Sequence, residues 1–180
     1  MGLMLDALDD KLAAWVEAQP MFFVATAPSE GGRVNLSPKG LDSLRVLDHH
    51  TIAYLDLTGS GAETIAHVRQ NGRITVMLCA FDGPPRILRM SGHGEVAVKG
   101  EGAYEALAVR FPDLPGARAI VTLHLDRVQT SCGYAVPRME LIEDRDLLIS
   151  WAERRGDDGL AEYWVEKNAT SVDGLPALGQ

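Results

Sequence analysis

Apolar residues near the start of the chain fall at helical spacing: Leu5, Leu8, Leu12, Trp15 and Val16 share one face, with Asp6, Asp9 and Asp10 early in the segment. The pattern predicts a helix over 3–18, ended by Pro20. The period then shortens. MFFVATA (21–27), RVNLS (33–37), SLRVL (43–47) and TIAYLDL (51–57) are β-rich runs, separated by turn-forming stretches at 28–32, 38–40 and 48–50. Such short connections leave no room for helical crossovers, so these strands are expected to pair antiparallel as a meander. One helix at about 62–70 interrupts them, opened by Thr58-Gly59-Ser60-Gly61 and closed at Asn71-Gly72. Strands resume with RITVMLCAF (73–81), a turn at 82–85, and RILRMSGHGEVAV (86–98), where Gly92 and Gly94 mark a bulge or a close backbone approach. A helix at about 101–111 stops before Pro112, and a long strand covers 117–130. The loop SCGYAVP, a mostly helical stretch at about 143–168 and a frayed tail, GLPALGQ, complete the chain. Six or seven mainly antiparallel strands with peripheral helices describe an α+β barrel, closed or partly closed, in a single domain over 1–180.

Composition narrows what such a barrel does. At 180 residues the chain is long enough for one sizeable core. Its 25 acidic against 17 basic residues, a net charge of -8, argue against a nucleic-acid surface and against a polybasic membrane anchor. No apolar run approaches the roughly 20 residues of a bilayer span. The acidic N-terminus lacks the pattern of a signal peptide, so a cytoplasmic location is expected. The two cysteines, Cys79 and Cys132, lie outside any CxxC pattern, and the five histidines show no HExxH spacing, so neither a disulfide framework nor a metal site is expected.

Three segments carry candidate chemistry. Residues 55–64, LDLTGSGAET preceded by its strand, form a glycine loop leading into a helix, where unpaired N–H groups bind anions. GxGxxG fails because Thr64 stands at the third glycine position, and the GxxxxGK[ST] pattern is absent. The competing local reading is a turn in which Ser60 or Thr58 caps the helix. In RVNLSPKG (33–40), Arg33, Asn35 and Ser37 alternate with Val34 and Leu36, giving a strand one polar face where a barrel wall borders a ligand or solvent. QTSCGYAVP (129–137) is a candidate ligand lid. Cys132 has no basic sequence neighbour to activate it, and Cys79 reads as core. No GxSxG elbow is present. The residues alone support an anion-binding barrel.

In their order along about 15–137, MFFVATA, RVNLSPKG, TIAYLDLTGSGAETIAHVRQNGRITVMLCAF, RILRMSGHGEV and the long strand ending in QTSCGY resemble the FMN-binding split β-barrel family, the pyridoxamine 5′-phosphate oxidase-like proteins. The helical extension from about 138 resembles that of a bacterial subgroup. The resemblance implies a mainly antiparallel split β-barrel, dimeric, with two flavins in grooves between the subunits. It implies an FMN-dependent oxidoreductase acting on a small-molecule substrate. F420 or haem are the alternative ligands of the same fold, and a non-catalytic flavin-binding dimer is the rival of another class. By position, Arg33, Val34, Asn35, Leu36, Ser37 and Lys39 would border the isoalloxazine and its ribityl chain. Leu57, Thr58, Ser60, Gly61, Glu63 and Thr64 match the segment that holds the ring edge and phosphate. Cys132, Gly133 and Tyr134 would approach from the far end of the barrel. No catalytic side chain is assigned, because the flavin carries the hydride chemistry. One departure stands out: pyridoxamine phosphate oxidases proper place Ser-Arg-Lys where this chain has Ser60-Gly61-Ala62-Glu63-Thr64. Two cations are missing and Glu63 is added, so a phosphate is expected to rely on backbone N–H groups, hydroxyls and Arg33, Lys39 or Arg89. The oxidase's C-terminal basic and aromatic motif is also missing, which argues against vitamin B6 oxidation.

Overall fold

A computed structural model describes residues 2–179. The elements follow in the order β1 (Leu3–Leu5), α1 (Asp10–Glu17), β2 (Phe22–Thr26), β3 (Asn35–Lys39), β4 (Leu44–Asp48), β5 (Thr51–Leu57), α2 (Glu63–Asn71), β6 (Arg73–Cys79), β7 (Ile87–Val98), α3 (Gly102–Ala108), β8 (Ala117–Ser131) and α4 (Leu147–Lys167). All pairings are antiparallel, in the order β3-β2-β6-β7-β8-β5-β4, with β1 added to β8. The two edge strands, β3 and β4, are neighbours in the chain, joined by the turn at 40–43 where Leu41 and Asp42 take positive φ. Strands at opposite edges of one sheet can be joined so briefly only if the sheet curls round. The gap between them is the split in an α+β split barrel.

Alternation along the strands fills the barrel. Phe22 and Val24 of β2, Val76 and Leu78 of β6, Leu88 and Met90 of β7, Ile52 and Tyr54 of β5, and Val121, Leu123 and Val128 of β8 form one buried cluster, closed by Leu12 and Val16 of α1. Each such aliphatic side chain contributes about 1.5–3 kcal/mol when fully buried. On the outer face, Tyr104 of α3 packs with Ala53, Leu55 and Ile120; α2 packs Ile65 and Ala66 with Ala119, on the opposite face of β8, and with the C-terminal Ala177.

The structure departs from the periodicity at both ends. The first helix is only α1, whose N-cap Asp9 accepts from Leu12 N at 2.7 Å; residues Leu3–Leu5 instead pair with Val128–Thr130 of β8. β3 continues through Pro38 and Lys39, expected as a turn, because an edge strand tolerates the missing proline N–H. The helical extension begins at Leu147 and breaks at Gly156, with φ 66°. The tail is ordered rather than frayed: Thr170 bridges Pro176, and Ala177, fully buried, donates its N–H to Ala169 O at 2.8 Å.

Gly92 sits at the β7–β8 register shift, where a Cβ would fall 2.9 Å from the His124 carbonyl carbon and 3.0 Å from Asp126 N. Backbone cannot yield as a side-chain tip does. Gly92→Ala is therefore expected to lose about 2 kcal/mol, measured by urea unfolding. Gly102→Ala, with open space at the start of α3, is the neutral-to-stabilising control.

Candidate functional site

The register β2–β3 sets Asn35 opposite Thr26, Ser37 opposite Val24 and Lys39 opposite Phe22. Cross-strand partners point the same way, so the polar row of β3 faces the barrel interior with those buried residues. Val34 and Leu36 face outward and are 75% and 64% exposed. The alternation of RVNLSPK thus has the expected period with an inverted sense: polar in, apolar out.

On β5, Tyr54 and Asp56 share the inward face of Ile52. Asp56 accepts from Lys39 Nζ at 2.7 Å and from Arg118 Nε at 2.8 Å, and both Asp56 and Arg118 are buried. Strict alternation along β8 would put Arg118 on the outer face with Ile120. The bulge between the Asp56–Ala119 and Leu57–Ala117 pairs re-aims it. Its remaining donors go to Asn168 Oδ1 at 2.7 Å and Gly61 O at 2.9 Å. Burial pulls the Asp56 carboxyl upward, but the Lys39 and Arg118 charges outweigh it and hold its pKa below the usual carboxylate value.

A second chain of bonds runs beside the first. Asn35 Nδ2 donates to Thr64 Oγ1 at 2.9 Å and to Thr26 Oγ1 at 3.2 Å, and Thr26 Oγ1 lies 3.0 Å from His67 Nδ1. The Thr26 hydroxyl, which accepts from Asn35, can either donate to Nδ1 or accept from it, according to the tautomer of His67. Burial lowers the His67 pKa, which favours the neutral ring. His67 Nε2 is buried without a partner, as are the Tyr54 hydroxyl and Ser37 Oγ. Burial and the Asp56 carboxylate push the Tyr54 phenol well above its ordinary pKa, so it stays a donor. The polar end of the barrel therefore holds three unpartnered groups from three elements. Of these residues, sequence reasoning found Asn35, Ser37, Lys39 and Thr64 but missed Thr26, Tyr54, Asp56, His67 and Arg118. The available signal was Asp56 on an otherwise apolar strand face.

The glycine loop does not cap α2 with a hydroxyl. Thr58 is not a helix cap: its Oγ1 donates to Gly116 O at 2.7 Å and accepts from Trp164 Nε1 at 2.8 Å. Ser60 is exposed, and the N-cap of α2 is Ala62, with no side-chain cap. Leu57, at the loop's start, packs on the outer cluster. Glu63 opens α2 with its carboxylate folded back on Gly61, where a Cβ would lie 2.9 Å from Cδ, and it accepts from Val172 N at 3.1 Å. The basic side chains at this end are committed: Lys39 and Arg118 to Asp56, Arg33 to Asp173, and Arg69 to Ala177 O. Arg89 reaches Ser131 Oγ instead. Thr64 Oγ1 accepts from Asn35, which leaves its O–H free to donate. With these cations committed, the loop offers a phosphate only its backbone N–H groups and the Ser60 and Thr64 hydroxyls.

Cys132, Gly133 and Tyr134 lie beyond the opposite end of β8, whose fifteen residues span about 50 Å. Within one chain they do not meet the glycine loop, since Gly116 O, before β8, accepts from Thr58 N. Exposed Cys132 and Tyr134 border a groove of about 440 Å³ with Lys11, Arg86 and Ser131. Gly133 has φ +65° and packs on the Arg86 backbone. Among the described residues, no group of three or more His, Cys, Asp or Glu side chains is placed to hold a metal ion.

Comparison with known proteins adds a lineage to this geometry. Residues 8–132 match the sequence profile described as pyridoxamine 5′-phosphate oxidase. The ustO protein of Aspergillus flavus, described as a pyridoxamine 5′-phosphate oxidase family protein, is 42% identical over 197 aligned positions, covering 99% of this chain and 78% of the relative. Two solved structures share the fold: HupZ of Group A Streptococcus (TM-score 0.51, 22% identity, 67% of this chain and 91% of that one) and a candidate pyridoxamine 5′-phosphate oxidase of Lactobacillus delbrueckii (TM-score 0.53, 20% identity, 69% and 94%).

Proposed function

This chain belongs to the pyridoxamine 5′-phosphate oxidase family, and from that membership we propose that it binds a flavin at the polar end of its barrel and acts, as a homodimer, as a flavin-dependent oxidoreductase on a small-molecule substrate. The observation that carries the reading is the set of unpartnered polar atoms Ser37 Oγ, Tyr54 O–H and His67 Nε2, backed by Asn35 and Lys39 on the inner face of β3. A buried polar group left unpaired costs about 1–3 kcal/mol. A flat heteroaromatic ring with carbonyl and ring-nitrogen acceptors suits donors of this kind. When bound, a flavin supplies hydride or electron exchange at its ring. The chain's own part is to hold a polar edge with neutral donors, keep Lys39 anchored on Asp56, and keep water from the inner wall. FMN is the flavin that the family resemblance implies. The unpartnered groups at the barrel end support its ring, whereas the start of α2 brings no uncommitted cation to its phosphate.

Distance supports the homodimer. The loop before α2 and the Cys132–Gly133–Tyr134 turn lie at opposite ends of β8, so both reach one ligand only if a second copy supplies one of them. The outward Val34 and Leu36 give such a contact an apolar edge. A cytoplasmic site of action belongs to the same proposal; among the described residues no helix is long and apolar enough to cross a membrane.

The deciding experiment is mass spectrometry of the ligand released when the purified protein is denatured, with sedimentation of the loaded protein. A flavin mass and a dimer are the expected results. A deazaflavin or haem overturns the flavin assignment, and a stable loaded monomer overturns the shared site. Reduction of the bound flavin by a nicotinamide cofactor with turnover on a quinone or dye supports an enzyme; its failure with all donors favours a flavin-binding protein without catalysis.

A further inference from the structure

We propose that Glu63 determines ligand specificity: its carboxylate folds back against Gly61 at the start of α2, so the chain prefers a flavin that ends in a ribityl hydroxyl over one that ends in a phosphate. The inference rests on the flavin reading above.

Helix N-termini favour negative charge through their unpaired N–H groups and dipole. In α2 that charge is supplied from within the chain. Glu63 stands in the first turn, folded back on Gly61, and Val172 N donates to its Oε1. The C-terminal segment adds a second carboxylate, since Asp173 accepts from Arg33 N at 2.7 Å and pairs with the Arg33 guanidinium. A phosphate brought here meets two carboxylates and no uncommitted cation, because Arg118 and Lys39 are already paired with Asp56. Even the loop carbonyls are used: Gly59 O accepts from Asn168 and Gly61 O from Arg118. A hydroxyl fits the same surroundings, because it can donate to the Glu63 carboxylate, and charge-assisted bonds of that kind are the stronger ones.

The test is a fluorescence-quenching titration of the ligand-stripped, full-length protein with riboflavin and with FMN, for the wild type, Glu63→Gln and Glu63→Arg. The wild type is expected to bind riboflavin at least about tenfold more tightly than FMN, a ratio equal to about 1.4 kcal/mol. Glu63→Gln keeps an acceptor for Val172 N and should bring the two affinities close together. Glu63→Arg should reverse their order. Equal or tighter binding of FMN by the wild type overturns this inference and leaves the flavin reading intact. Binding of neither ligand overturns both. The wild-type comparison decides even if a variant fails to fold.

Discussion

Replacing Asp56 with alanine is expected to cost about 3–5 kcal/mol of stability, measured as the free energy of urea unfolding. Asp56 is 1% exposed between Lys39 and Arg118. Once it is gone, Lys39, a fifth of whose side chain reaches solvent, can turn to water. Arg118 cannot, and its charge is left buried with Asn168 Oδ1 and Gly61 O as its acceptors among the described residues. Most of the loss therefore comes from the stranded Arg118 rather than from the intrinsic strength of the pair. Asp56→Leu combined with Arg118→Met should recover most of it, because exchanging a buried ion pair for apolar volume is often neutral. Recovery in the double variant is the readout that separates the two causes.

The same carboxylate sets an acid limb. Its folded pKa lies below its unfolded value, near 4. Its contribution is thus complete above about pH 4 and is lost as pH falls through the folded value. Unfolding free energies between pH 6 and pH 2 should fall more steeply for the wild type than for Asp56→Ala, and the two should run parallel between pH 6 and pH 8. A parallel course below pH 4 as well would mean that Asp56 is not held charged.

The barrel was legible because its information is local. Alternation in TIAYLDL and RITVMLC needs only neighbouring residues, and the strands stand where it places them. What escaped notice depends on contacts distant in sequence. Thr58 looked like a cap because Gly116 and Trp164, its actual partners, lie 58 and 106 residues away. Strict alternation along β8 would turn Arg118 outward, and only the bulge turns it to Asp56. Residues Leu3–Leu5 followed a helical period, but the open edge of β8 at Val128–Thr130 claimed them as a strand. The inner row of β3 was visible as a period; which side of it faced the core was not, because polar residues ordinarily face out. Glu63 was recognisable as a charge in the wrong place for a phosphate. Its role as an internal anion needed Val172, 109 residues on.

Asn168→Ala is expected to be the next most damaging change, at about 2–3 kcal/mol. The side chain is wholly buried and does two things: Oδ1 accepts from Arg118 NH1 at 2.7 Å, and Nδ2 donates to Gly59 O at 3.2 Å. Alanine leaves a charged donor and a loop carbonyl unpaired together. It also loosens the start of the segment that carries Val172 to Glu63 and Ala177 to α2. Asn168→Asp tests the polarity of the site. It keeps an acceptor for Arg118 but turns an oxygen on Gly59 O and makes Asp56 share its partner, so it should also destabilise. If Asn168 fastens the tail, limited proteolysis of Asn168→Ala should cut within 168–179 before the barrel opens, and amide exchange at Ala177 and Leu178, whose N–H groups donate to Ala169 O and Asn168 O, should quicken at once. If the melting curve and the cleavage pattern both match the wild type, the tail is held by Ala177, Leu175 and Leu178 packing alone, and the link from Asp56 through Arg118 to the C-terminal segment carries no energy.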